Sequence, residues 1–223
     1  MVDSAEDGTD INVWVSFADV FAGLLLITLT GLGVAMHVYQ ARRPTDVRFS
    51  ENLVQSMNLA TSVTKALEDK LQTVLKSGGP QTSETEVVIP AEALFASGGY
   101  DAEARGMLLL TDIRQALREA LDGVGERRRF LRVIIEGHTD SDPIRNSAVT
   151  REIPTNWELS SRRATGVLRF FEDGGLAPRD YNIVAMGLAD SVPIAVGDKK
   201  RNRRIVIRIE PDIEGILQSI AGR

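Results

Sequence analysis

"FLRVIIEGHTDSDP" (residues 130–143) and "TNWELSSRRATGVLRFF" (residues 155–171) together decide the fold. The first is rich in β-branched and apolar residues up to Ile135 and reads as a buried strand that gives way to a loop after His138. In the second, Thr155 and Glu158 have capping-box spacing, so an amphipathic helix is predicted to start there and to run from Asn156 to Phe171. Working outward, "TEVVIP" (85–90), "YNIVAMGL" (181–188) and "RRIVIRIE" (203–210) supply three more strands. Met107, Leu110, Ile113, Leu117 and Leu121 mark a helix within 101–121. Strands alternating with helices predict an α+β, or α/β, sandwich whose helices cover one face of a single sheet.

Toward the N-terminus, "KSGGPQTSE" (76–84) breaks the pattern and reads as a linker. Before it, Leu53, Met57, Ala60, Thr64, Leu67, Leu71 and Val74 alternate spacings of four and three. Such a seam belongs to a helix that either pairs with a second copy or lies on the following domain. Farther upstream, "WVSFADVFAGLLLITLTGLGV" begins at Trp14, and no Lys, Arg, Asp or Glu occurs from Val20 to Val38. An apolar run of roughly 20 residues is long enough to cross a hydrocarbon core as a helix. The residues before it are acidic (Asp3, Glu6, Asp7, Asp10), unlike the basic start of a cleaved signal peptide, so a retained anchor is expected. Arg42 and Arg43 mark the return to water, and Pro44 predicts the end of the helix. The expected layout is a tail over 1–12, a membrane helix over 13–41, a linker with an amphipathic helix over 42–83, and a globular domain over 84–223.

The formal charge of −5 argues against a general nucleic-acid binder. There is no cysteine, and His37 and His138 are the two histidines. No disulfide framework, thiolate site or zinc site is therefore expected. Asp140 and Asp142 lack a third acid at calcium-loop spacing, and Pro143 follows them, so no metal is expected there. His138 reads as packing at a strand end rather than as a base. The basic run Lys199–Arg204 falls on the approach to the last strand and reads as sheet-edge contacts. No phosphate loop or nucleophile pattern occurs, so neither an enzyme activity nor a cofactor is expected.

Asp140 sits where the strand ends, and Arg162 and Arg163 lie in the first two turns of the helix. An acid and an arginine converging there suit a zwitterion: the carboxylate takes an ammonium and the guanidinium forks onto a carboxylate. The helix N-terminus favours an anion as well. The alternative is a structural ion pair between Asp140 and Arg163 that closes the loop on the helix.

The ordered set "IIEGHTDSDP", "TNWELSSRRATGVLRFF", "GLADSVPI" and "RNRRIVIRI" resembles the OmpA-like peptidoglycan-binding domain in its MotB-type stator version. "NWELSSRRA" and "LFASGGYD" (94–101) add to the likeness, which covers about Glu84 to Glu210. The resemblance implies a βαβαββ order and a grip on diaminopimelate of the peptidoglycan stem by Asp140 and Arg163. Thr139, Asn156, Leu159 and Arg204 would line or support that pocket.

One acid remains, Asp19, near the start of the apolar run. A carboxylate at mid-bilayer costs about 2.5–3.5 kcal/mol on insertion scales, and such acids commonly mark ion pathways. It could equally cap the helix at the interface beside Trp14. "WVSFAD" is similar to the MotB-type signature, which implies an ion relay at Asp19 for protons or sodium. It also implies a homodimer and a multi-span partner of the MotA type, with Ala18, Ala22 and Gly23 allowing close helix approach. The basic residues after the span would by themselves place the N-terminal end outside. A peptidoglycan-binding domain has to lie outside the inner membrane, so the expected arrangement is N-terminal end cytoplasmic and domain periplasmic. Compactness and "SFADVFAGLLL" are most similar to the ZorB stator-like subunits of Zorya anti-phage defence systems. A flagellar stator subunit and a passive tether are the alternatives.

Overall fold

In the computed structural model the backbone is described for residues 9–75, 81–144 and 150–221, and the side chains for 17–40, 47–71, 83–144 and 150–221. The acidic tail over 1–8, residues 76–80 of the linker, and the side chains of Trp14, Arg42, Arg43 and Val74 lie outside the described residues.

Helix α1 spans Thr9–Leu75, and the chain divides into two compact units after Ser50. In the first unit, Phe17–Gln40 is 24 residues long with a mean hydropathy of 1.9, and among the described residues it is the one helix long and apolar enough to cross a membrane. Its side chains from Phe17 to Val38 are exposed. So much bare apolar surface calls for lipid or partner helices. Pro44 does not end the helix, which corrects the expectation from sequence. An interior proline removes one backbone hydrogen bond at a cost of about 3 kcal/mol.

In the second unit five strands form one sheet: β1 (Gln81–Thr82), β2 (Glu86–Pro90), β3 (Leu131–His138), β4 (Ile183–Ala189) and β5 (Arg204–Pro211). Their spatial order is β1-β2-β5-β3-β4. The β3–β4 pair is parallel and the other pairs are antiparallel. Helices α2 (Ala104–Gly123) and α3 (Asn156–Asp173) follow β2 and β3. From β2 onward the order is βαβαββ, as the sequence predicts. Three elements had no sequence signal: strand β1, which falls inside the expected linker, and the short helices α4 (Pro178–Tyr181) and α5 (Lys199–Asn202). Helix α6 (Ile213–Ala221) was also not anticipated.

Alternation along the strands sends Val87, Ile89, Leu131, Val133, Ile135, Ile205, Ile207 and Ile209 to one face. There they join Leu110, Ile113, Leu117 and Leu121 of α2 and Ala164, Val167 and Phe171 of α3 in one buried cluster. The second half of α1 joins the same cluster through Ala60, Val63, Leu67 and Leu71, and Lys70 is ion-paired with Glu119 of α2. The α1 seam therefore faces the chain's own domain. Met57, expected in the seam, is 55% exposed, and Ser56 and Val63 are buried instead. The opposite sheet face carries charge. Arg208 bridges Glu86 (2.6 Å) and Glu136 (2.9 Å), and His138 Nε2 lies 3.2 Å from Glu136 Oε2.

The start of α3 is fixed by the capping box foreseen from sequence. The Thr155 N–H donates to Glu158 at 3.0 Å, and the Trp157 N–H donates to the Thr155 hydroxyl at 3.2 Å. A substituent on Gly137 of β3 would meet the Ser160 carbonyl oxygen at 2.1 Å, and one on Gly187 of β4 would meet the Ser161 hydroxyl at 2.2 Å. The helix thus lies directly on the strand ends. Ser160 holds it there by accepting from the Ala189 N–H at 3.1 Å.

Candidate functional site

A cleft of about 630 Å³ opens at the C-terminal end of β3. Its walls come from the 3-10 turn and loop after β2 (Glu92, Phe95), the strand end (Thr139, Asp140), the α3 start (Asn156, Leu159, Arg163) and the approach to β5 (Arg203). Five of the six residues named from sequence for this pocket line it: Thr139, Asp140, Asn156, Leu159 and Arg163. The sixth, Arg204, does not. It bonds the carbonyls of Val192 (3.0 Å) and Asn202 (3.2 Å), fastening the loop before β5.

Arg163 is 3% exposed, and its guanidinium lies 5.0 Å above the Phe95 ring centre. Its Nε donates to the Gly99 carbonyl at 2.8 Å. Among the described residues it forms no ion pair, so the structural pair with Asp140 is not the arrangement found. Burial, followed by repulsion from Arg203, lowers its pKa to about 10, against the pull of Glu92 and Asp140. It remains a cation at neutral pH, with the ends of its fork uncommitted.

Asp140 is anchored on one side and engaged on the other. Its Oδ1 accepts the Asp142 N–H at 3.1 Å, and its Oδ2 lies 2.7 Å from Arg203 Nη1. The Asn156 amide donates to the carbonyls of Asp140 (3.0 Å) and Asp142 (2.9 Å), pinning the loop to the start of α3. Arg203 reaches on to Glu92 through Nη2 at 2.6 Å and Nε at 3.2 Å. Hydrogen bonds to Asp140 and then Glu92 raise the Arg203 pKa. Thr139 is 3% exposed, and its hydroxyl has no hydrogen-bond partner among the described residues. A buried hydroxyl left unpaired is costly unless a ligand or water completes it.

The cleft therefore presents a carboxylate, a desolvated guanidinium, an unpaired hydroxyl and the apolar side of Leu159. That set suits a small zwitterion. Among the described residues no group of His, Asp and Glu is arranged to hold a metal. Residues 109–205 match the OmpA family.

The chain carries an OmpA-like domain.

The OmpA-like domain and its flanks resemble several known proteins. The chain is 29% identical over 174 residues to YtxE, an uncharacterized protein of Bacillus subtilis (strain 168), covering 70% of this chain and 67% of YtxE. Among solved structures, the cell wall anchor of the type VI secretion system from Pseudomonas aeruginosa aligns with a TM-score of 0.54 and 27% identity, over 66% of this chain and 97% of that one. A MotB-like protein from Desulfovibrio vulgaris has the same fold, at a TM-score of 0.56 and 23% identity, over 71% of this chain and 98% of that one.

Arg203 and Glu92 were not named from sequence. For Arg203 a signal existed. It shares the strand parity of Ile205, Ile207 and Ile209, whereas Arg204 shares that of Arg208 on the charged face. For Glu92 there was none, because its place depends on a turn that only the closed sheet sets.

Proposed function

We propose that the chain anchors to peptidoglycan by gripping the free amine and carboxylate of a diaminopimelate residue with Asp140 and Arg163. The observation that carries this reading is Arg163: a buried guanidinium with no carboxylate partner among the described residues, facing a cleft that also holds an acid. Thr139 supplies a hydroxyl to the ligand, Leu159 an apolar wall, and Asn156 and Arg204 act by holding the loops. Co-sedimentation of the full chain with diaminopimelate-type sacculi tests it. Binding is expected for the native chain and is lost in Asp140→Asn; retention by that variant overturns the reading.

The Phe17–Gln40 helix, with Asp19 near its start, supports a fuller role as the stator subunit of an inner-membrane motor. In this role the chain is a homodimer with its N-terminal end cytoplasmic and its OmpA-like domain periplasmic. Asp19 relays protons or sodium beside a multi-span partner of the MotA or ZorA type. The stretch "SFADVFAGLLL" favours a Zorya-type anti-phage system over a flagellar one. Asp19→Asn tests this role: the variant should assemble with its partner and lose all ion-driven activity.

A second reading, a passive tether between membrane and wall, is favoured by the likeness to the secretion-system cell wall anchor. Full activity of Asp19→Asn would select it.

A further inference from the structure

We propose that Arg203 is a built-in competitor for the ligand's ammonium, and that Glu92 receives it when the ligand displaces it. This inference rests on the diaminopimelate reading of the cleft and deepens it. Within the cleft the acid that should take the ammonium is already engaged: Arg203 Nη1 sits 2.7 Å from Asp140 Oδ2. The remaining oxygen of Asp140 is committed to the Asp142 N–H at 3.1 Å. Each oxygen keeps a further lone pair, but an ammonium that settles on Oδ2 meets the guanidinium's positive charge at the same atom, and that repulsion is relieved by loosening Arg203.

The geometry makes that exchange inexpensive. Arg203 holds Glu92 with two other atoms, Nη2 at 2.6 Å and Nε at 3.2 Å, so it can release Nη1 from Asp140 without losing its charge partner. The pair is also reachable, with side-chain exposures of 35% for Arg203, 12% for Asp140 and 39% for Glu92. Arg163 differs on each count. It is buried, forms no ion pair among the described residues, and its Nε is fixed on Gly99. One arginine is thus a fixed receptor for the ligand's carboxylate, and the other is a displaceable plug on the acid.

The consequence is selectivity. A ligand with a carboxylate alone can engage Arg163 but leaves the Asp140–Arg203 pair closed. A ligand with an ammonium alone has to break that pair with nothing gained at Arg163. Only a group carrying both at the right spacing offsets the exchange, because specificity arises from the cost imposed on the wrong ligand as much as from contacts to the right one.

Two variants of opposite expected sign test this. The full chain in detergent is titrated calorimetrically with an N-acetylmuramyl tripeptide ending in meso-diaminopimelate, and separately with the same tripeptide acetylated on the free amine. Arg203→Gln frees Asp140 and is expected to bind the unmodified tripeptide about threefold to tenfold more tightly than the native chain. Glu92→Gln removes the receptor and is expected to bind it more weakly by a similar factor. The acetylated tripeptide, lacking the ammonium, is expected to bind the native chain and Arg203→Gln equally weakly. Equal or weaker binding of the unmodified tripeptide by a folded Arg203→Gln makes Arg203 a ligand contact and overturns the proposal. Failure of the native chain to bind either tripeptide overturns the diaminopimelate reading itself, and the competitor role with it.

Discussion

A side chain added at Gly137 would place its first carbon 2.1 Å from the carbonyl oxygen of Ser160. That approach brings the first turns of α3 onto the end of β3, and so sets Arg163 into the cleft beside Asp140. The neighbour is backbone, which cannot swing aside. Gly137→Ala is therefore expected to push α3 off the sheet, at a cost of about 1–3 kcal/mol or more. Thermal melting and sacculus binding should fall together; a native melting curve with native binding contradicts the account.

Arg163 should trade stability for function. It is a desolvated cation held by one bond to Gly99, the Phe95 ring and the more distant pull of Glu92 and Asp140. Arg163→Met keeps much of the volume and removes the burial cost of the charge. The variant should melt within about 1 kcal/mol of the native chain while losing sacculus binding. A large loss of stability would mean that the guanidinium serves the fold rather than a ligand.

Glu136 gives the domain an acid limb. Burial works to raise its pKa, but hydrogen bonds from His138 and Arg208, with the charge of Arg208, outweigh this and hold it at about 2, below the usual 4.5. A folded pKa below the unfolded one means stability present above the unfolded value and lost as pH falls through the folded one. The stability difference between the native chain and Glu136→Gln should therefore shrink by about 2–3 kcal/mol between about pH 6 and about pH 2. Denaturant titrations at those two pH values measure it; a constant difference rules the acid limb out.

Leu67 distinguishes the two roles of the α1 seam. It is fully buried in the domain core, so Leu67→Ala should cost about 2–5 kcal/mol in the unfolding of the chain at any protein concentration. A loss that appears only at low concentration would instead mark Leu67 as a contact between copies.

Much of the fold was legible because periodicity is local. Alternating isoleucines of β5, the helical spacing in α2, and Thr155 with Glu158 at the head of α3 each state their element within a few residues. The site was legible in part: a strand end at Asp140 and a helix start carrying Arg162 and Arg163 follow from spacing, and the choice of Arg163 follows from the family resemblance. Arg204 was named where Arg203 lines the cleft, since one residue along a strand reverses the face. Pro44 misled because the rule that a proline ends a helix is local, and the helix runs on through it to Leu75.

By itself, then, the sequence determined the order of strands and helices, the apolar span with its acid at Asp19, and the presence of an acid and an arginine for a zwitterion. Only the tertiary structure decided that the α1 seam packs on its own domain, that Arg163 stands without an acid, and that Arg203 and Glu92 meet at Asp140. Those outcomes join residues 92, 140, 163 and 203, which no spacing along the chain relates. Burial, close approach at Gly137 and competition among neighbouring charges act only once the sheet has closed.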